Sequence, residues 1–183
     1  DGNGDDALNS FIRNRQARAG SSFIHTVDDT TTEITFDGKA FAADLRARIA
    51  QEVAGLKAEH GLTPGLAVVL VGEDPASQVY VRNKGEQTLA AGMYSETHRL
   101  AADVTHDALL VLLAKLNADP AIHGVLVQFP VPDHLNQADI VAAISPDKDV
   151  DGLTVTNAGR LASGLPALTS CTPVGCMLLL KDV

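Results

Sequence analysis

The stretch that decides the fold is Leu66-Ala-Val-Val-Leu-Val71, an unbroken apolar run bounded by glycines. It is short and rich in β-branched residues, so it predicts a strand buried on both faces, as in a parallel sheet. Gly124-Val-Leu-Val-Gln-Phe129 has the same character. Pro130 and Pro132 follow it and forbid its continuation, because proline has no N–H to give to a sheet.

Helical patterns separate these strands. Phe41, Leu45, Ile49, Val53 and Leu56 recur at steps of three and four, which predicts one apolar stripe on a helix of about five turns. Further helices are expected at about 77–91, 106–117 and 138–144. Because strand and helix alternate, we expect an α/β domain with a mostly parallel sheet and helices on both faces.

The remaining elements carry weaker signals. Glu33–Phe36 alternates and predicts a short strand, followed by an Asp37-Gly38 turn. Glu96–Leu100 is expected to be a strand at or near the edge of the sheet. Ser145–Leu168 is expected to be rich in loops, and Thr172-Pro173 is predicted to be the cap and the first residue of a last helix.

Composition excludes several classes of function. The net charge is −9 and aromatic residues make up 4%, so a nucleic-acid partner and an anionic membrane surface are not expected. No apolar run is long enough to span a bilayer. The two cysteines, Cys171 and Cys176, have neither a disulfide framework nor zinc or redox spacing, so we expect a reducing, cytoplasmic setting.

The N-terminal segment differs from the rest. Residues 1–31 have no apolar core of a signal peptide and contain several Asp residues, which also argues against a transit peptide. We expect residues 1–31 to be a disordered or tag-like tail and residues 32–183 to form a single domain.

Three side chains after the first buried strand form a candidate site. If the segment is helical, Ser77, Tyr80 and Lys84 share one face, because side chains three and four residues apart are neighbours. A phenol and an amine one turn apart can polarise a substrate and relay a proton. The alternative is an ordinary helix face with a solvated Lys beside a half-buried Tyr.

Two other regions offer polar groups. Gln128 ends an apolar strand, where ligands of open α/β sheets bind, although it could equally cap a strand edge. The acidic loop Asp147–Gly152 lacks the ligand spacing of a calcium loop, so no metal is expected there. A carboxylate that binds a heterocycle's amino groups is the functional interpretation, and a surface turn is the alternative. There is no G-x-G-x-x-G or Walker A sequence, so no cofactor-binding residues are predicted in this chain.

These pieces, taken in order, resemble a known family. The stretches Val71–Lys84, Gly124–Pro132, Pro146–Gly152, Asn157–Leu161 and Cys171–Gly175 are similar to signature segments of the bifunctional methylenetetrahydrofolate dehydrogenase/methenyltetrahydrofolate cyclohydrolases. The resemblance covers most of the chain. It implies a family that oxidises 5,10-methylenetetrahydrofolate with NADP and hydrolyses the methenyl product to 10-formyltetrahydrofolate, at one folate site.

The resemblance also implies roles for individual residues. Lys84, Tyr80 and Gln128 are the expected catalytic residues. Lys84 is central, and Gln128 is expected to hold it in its working position and protonation state. Tyr80 would stack on the folate ring system, and Asp151 would bind the amino-pyrimidine edge of the pterin. Substrate contacts are also implied for Ser77, Thr172 and Pro173.

One departure limits the expected activity. The family continues into a Rossmann-type NADP domain, which this sequence does not contain, and family homodimers rely largely on that domain. The chain alone is therefore expected to be at most a weak cyclohydrolase. The alternatives are a non-catalytic folate-binding or interaction module derived from the enzyme and, more remotely, the similar domain of an amino-acid dehydrogenase.

Overall fold

The computed structural model describes residues 37–181, so the strand predicted at 33–36 and the tail predicted at 1–31 lie outside the described residues. Strands and helices alternate through most of this region. In chain order the elements are α1 (Gly38–His60), β1 (Gly65–Val71), α2 (Pro75–Ala90), β2 (Tyr94–Leu100), α3 (His106–Ala118), β3 (Gly124–Gln128), α4 (Gln137–Ala143), α5 (Val155–Ala162) and α6 (Cys171–Lys181).

The described strands form one parallel sheet in the order β2-β1-β3. Leu70, near the end of β1, pairs with Arg99 of β2 and with Gln128 of β3. All three strands therefore end at the same edge of the sheet. The predictions of a parallel sheet, of a buried central strand and of an edge strand at β2 are confirmed.

Alternate residues of β1 pack on opposite faces of the sheet. Ala67, Val69 and Val71 belong to a core completed by α3 and α4. Val68 and Leu70 belong to a smaller core that includes Val81 of α2 and Leu126 of β3. Helices therefore cover both faces, as predicted.

The start of α1 corrects one expectation. Asp37 and Gly38 do not form a separate turn, because Asp37 is the N-cap of α1 and Gly38 is its first residue. The Asp37 carboxylate accepts hydrogen bonds from the backbone N–H groups of Lys39 and Ala40, at 3.1 and 2.9 Å. The short acidic side chain thus satisfies donors that a helix N-terminus leaves unpaired. α1 ends at Gly61, where φ is +64°.

The C-terminal part of the chain differs from two further expectations. The segment expected to be loop-rich contains α5, capped by Thr154 Oγ1, which accepts from the backbone N–H of Asn157. The last helix begins at Cys171, so Thr172 is not its cap and Pro173 is its third residue. The N–H of Val174 already reaches the carbonyl of Ser170 at 3.2 Å. Proline fits this first turn because N–H groups there lack helical partners.

None of the helices within residues 37–181 combines the length and the apolar character that crossing a membrane requires.

Candidate active site

Lys84 and Gln128 meet at the edge where the strands end. Lys84 Nζ donates a hydrogen bond of 3.2 Å to Gln128 Oε1. The strand period explains this meeting: Leu126 of β3 packs on the face covered by α2, so Gln128, two residues later, points to the same face. The Gln128 amide donates in turn to the carbonyl of Phe129, at 2.9 Å. Both ends of the Gln128 side chain are therefore fixed.

The other two predicted helix residues, Ser77 and Tyr80, also lie on α2 but in different environments. Ser77 is buried, at 3% exposure, whereas Tyr80 is 62% exposed. The backbone N–H of Ser77 donates to Asp74 at 2.7 Å. This bond, aided by the Ser77 hydroxyl, lowers the pKa of the Asp74 carboxyl. Ser77 therefore takes part in capping α2, while the Tyr80 ring is open to a ligand.

Asp151 lies in the turn that follows a short pairing between residues 148–150 and β3. The N–H of Val125 donates to the carbonyl of Lys148 at 2.8 Å. Val150 packs against the smaller core, on the side of α2. Gly152 then adopts φ +64°, and a side chain there would collide with the backbone of Thr169. The loop that carries Asp151 is therefore pressed against the segment that leads into α6.

The start of α6 adjoins this loop. Cys171 Sγ donates to the carbonyl of Val150 at 3.0 Å. Thr172 and Pro173 follow and are exposed. The structure thus brings one cysteine, which the sequence interpretation left without a role, next to the loop of Asp151. Thr172 and Pro173 are the next two residues of α6.

Electrostatic interactions connect Lys84, Asp151 and Cys171. Burial raises the pKa of Asp151 above its usual range, the positive charge of Lys84 lowers it, and the negative charge of Asp149 raises it. Although Cys171 is exposed as a residue, burial of its thiol raises its pKa, and the charge of Asp151 raises it further. Lys84, Asp151 and Cys171 are therefore close enough to interact, although they come from three separate segments.

The described residues do not fit a dinucleotide at the turn where such cofactors usually bind. The turn after β1 carries Glu73 and Asp74. Asp74 already occupies the helix N-terminus through its bond to the Ser77 N–H. A pyrophosphate would need those free N–H groups and would be repelled by the two carboxylates.

Within residues 37–181 no three His, Cys, Asp or Glu side chains form a group that could hold an ion.

The fold and the site define an α/β domain in which an amine and an amide are hydrogen-bonded near a carboxylate, at the carboxyl ends of parallel strands. The profile of the family described as "Tetrahydrofolate dehydrogenase/cyclohydrolase, catalytic domain" matches residues 36–151. The chain belongs to this tetrahydrofolate dehydrogenase/cyclohydrolase family, and the resemblance inferred from the sequence is confirmed.

Individual relatives agree with this assignment. The bifunctional protein FolD of Caulobacter vibrioides strain NA1000 is 82% identical over 146 residues, which are 80% of this chain and 49% of the relative. That of Caulobacter sp. strain K31 is 83% identical over 147 residues, 80% of this chain and 49% of the relative. The chain thus spans about half the length of these relatives.

Solved structures give the same result. The bifunctional FolD of Campylobacter jejuni superposes with a TM-score of 0.78 at 41% identity, over 80% of this chain and 52% of that one. The Trypanosoma brucei enzyme, solved with NADP and an inhibitor, has a TM-score of 0.78 at 34% identity, over 81% of this chain and 51% of that one.

Proposed function

We propose that this chain supplies the folate site of a bifunctional enzyme of one-carbon metabolism. The complete enzyme would oxidise 5,10-methylenetetrahydrofolate to the 5,10-methenyl form with NADP and hydrolyse that to 10-formyltetrahydrofolate. The observation that carries the proposal is the hydrogen bond from Lys84 to Gln128 at the carboxyl ends of the strands, within electrostatic reach of Asp151.

Lys84 would move protons in the hydrolytic step. Water adds to the cationic methenyl carbon and loses a proton, which gives a neutral hydroxyl adduct. The bond from that carbon to N5 then breaks as the hydroxyl loses its proton to solvent and N5 takes up a proton, which leaves the formyl group on N10 and releases one proton overall. An amine can accept the first proton and return the second. The carbonyl of Gln128 is a neutral acceptor, so it would aim the amine without adding a charge.

Asp151 and Tyr80 would hold the substrate. A carboxylate accepts two parallel hydrogen bonds, which matches the amino group and ring N–H of a pterin. Partial burial strengthens such bonds because water competes less. The exposed ring of Tyr80 offers an apolar face on which the folate ring system can stack.

The other predicted contacts fit the site less directly. Thr172 and Pro173 are exposed beside the Asp151 loop, where they would line the approach of the substrate. Ser77 is buried and bonded to Asp74, so we assign it a role in fixing the start of α2 near the substrate.

The redox step would require the part of the relatives' sequence that this chain does not span. NADP would be its cofactor, as in the complex of the Trypanosoma brucei enzyme. The chain alone would then be at most a weak cyclohydrolase. We place the protein in the cytoplasm, with a small folate as its partner, no nucleic acid or membrane, and a homodimer as the assembly of the complete enzyme.

The test is the decay of 5,10-methenyltetrahydrofolate absorbance. We expect the chain to accelerate the decay and Lys84→Ala to lose general acid–base catalysis, which is worth about 10²- to 10⁴-fold, so that the rate returns to the uncatalysed one. Lys115→Ala is the matched control, since Lys115 is exposed on α3, on the other side of the sheet. A Lys84→Ala variant at the wild-type rate would remove Lys84 from catalysis.

The same assay separates the alternative. A non-catalytic folate-binding module would bind the folate without accelerating its decay, and Lys84→Ala would then change nothing in the rate. Calorimetry with the same folate would still detect binding, and Asp151→Ala would weaken it.

A further inference from the structure

Asp149, two residues before Asp151, is saturated with hydrogen bonds. Its side chain is 1% exposed. Oδ1 accepts from the backbone N–H of Leu153 at 3.1 Å, and Oδ2 accepts from the backbone N–H of Thr154 at 2.8 Å. Oδ2 also accepts from Asn157 Nδ2 at 3.0 Å. A carboxylate is the only side chain of this size that offers acceptors alone to three donors.

Asn157 completes the network from α5. It is 1% exposed, and its Nδ2 donates to the carbonyl of Pro146, at 2.8 Å, as well as to Asp149. Turning the amide over would set Oδ1 against two oxygens, so the orientation is defined by its neighbours. Asn157 therefore ties the beginning of the loop to the carboxylate at its centre.

These bonds enclose Asp151. The N–H of Gly152 donates to the carbonyl of Asp149 at 3.1 Å, which closes a turn with Asp151 inside it. The side chain of Asp149 then binds the residues just after the turn. Asp149 thus holds the turn around Asp151 twice, through its backbone carbonyl at Gly152 and through its carboxylate at the residues just after the turn.

We propose that Asp149 and Asn157 are positioning residues for the folate: they hold the turn so that the Asp151 carboxylate meets the pterin. The inference rests on the proposed function, in which Asp151 binds that ring.

Asp149 also acts on Asp151 through its charge. The groups that face Asp151 are Lys84 from α2, Asp149 from the same loop and the thiol of Cys171 from α6. Lys84 lowers the pKa of Asp151 and Asp149 raises it. Folate affinity should fall at acid pH as Asp151 becomes protonated, and we call this fall the acid limb of folate binding. Removing the charge of Asp149 should therefore move the acid limb to lower pH. A purely structural role in capping α5 would not move that limb.

The experiment measures the affinity of the 183-residue chain for 5-formyltetrahydrofolate, a reduced folate stable enough for titration, between about pH 4 and 8. We expect Asp149→Asn to weaken binding about tenfold at pH 7, the scale of one hydrogen bond to a charged group, and to lower the midpoint of the acid limb. Asn157→Ala should weaken binding similarly but leave the midpoint of the acid limb unchanged, because this variant retains the charge of Asp149. Asp133→Asn, the same change at an exposed position outside the loop, should alter neither.

The outcomes separate the two claims. Circular dichroism would show whether Asp149→Asn folds. If it does not fold, the folate affinity of Asn157→Ala tests the positioning inference. Wild-type affinity in Asn157→Ala and in folded Asp149→Asn, together with weak binding in Asp151→Asn, would overturn the positioning inference and leave the folate site in place. Unchanged affinity in Asp151→Asn, or no binding by the wild-type chain, would overturn the proposed function and the inference with it.

Discussion

The two faces of the sheet are built from the same strands but differ in content. Among the described residues, the face covered by α3 and α4 has a core of twelve buried apolar residues from Ala67 to Ile144. The face covered by α2 has four, Val68, Leu70, Val81 and Leu126, and beyond them lie Lys84 and Gln128. The first face supplies most of the packing, and the second combines a smaller core with groups that can do chemistry.

The difference arises from single positions on β3. Val127 is 2% exposed on the α3 face, while its neighbour Gln128 points to the α2 face and bonds Lys84. Because side chains alternate along a strand, the end of β3 places Val127 in the core and Gln128 in the candidate site. Substitutions on the two faces should therefore separate stability from activity.

The largest effect is expected on the α3 face. Leu113 is fully buried in α3, so Leu113→Ala should lower the free energy of unfolding by about 2–5 kcal/mol through lost burial and a cavity. Urea denaturation checks this. Val111→Ala, on the same helix at 54% exposure, is the control and should change stability little. Equal effects of the two changes would contradict the assignment of the main core to this face.

A smaller effect, on activity instead of stability, is expected from Gln128→Met. Methionine keeps the length of the side chain but its sulfur is only a weak acceptor for the hydrogen bond of Lys84, so we expect about a tenfold lower hydrolysis rate. The midpoint of urea denaturation should stay near that of the wild type. Gln87→Met, at an exposed position of α2, is the matched control. A large stability loss with normal activity would assign Gln128 to the core.

The sequence alone predicted most of what lies on either face. The apolar stripe of α1 and the apolar runs of β1 and β3 are the clear signals, because burial on one side or on both leaves a repeating pattern or a continuous apolar run. α5 was missed because it has only eight residues, too few for a periodic pattern to stand out. Its signal in the sequence is the cap, in which Thr154 Oγ1 accepts from the backbone N–H of Asn157.

The site was harder to predict than the fold. Tyr80 and Lys84 share a local helix period, but the approach of Cys171 to Asp151 joins residues twenty positions apart, and no local pattern reports it. Asp149 was overlooked for a related reason. It and Asp151 are the same residue type two positions apart, and only burial shows that Asp149 is satisfied by three donors while Asp151 faces Lys84.

The smallest expected effect, on the stability of the α2 face, is the pH dependence caused by Asp151. Its pKa is raised in the folded state, chiefly by burial, above the value of 3.8 that applies to an unfolded chain. Between the two values the folded state binds more protons, so the contribution of Asp151 to stability falls as pH rises through that window.

Asp151→Asn removes this titration. We therefore expect the variant to be at least as stable as the wild type at pH 7, and to lose its relative advantage below the window, when measured by urea denaturation at several pH values. The gain should be small, because the group is partly solvated. A variant that is less stable at pH 7 would contradict this expectation. It would mean that the attraction of the Asp151 carboxylate to Lys84 stabilises the α2 face by more than the burial of that carboxylate costs.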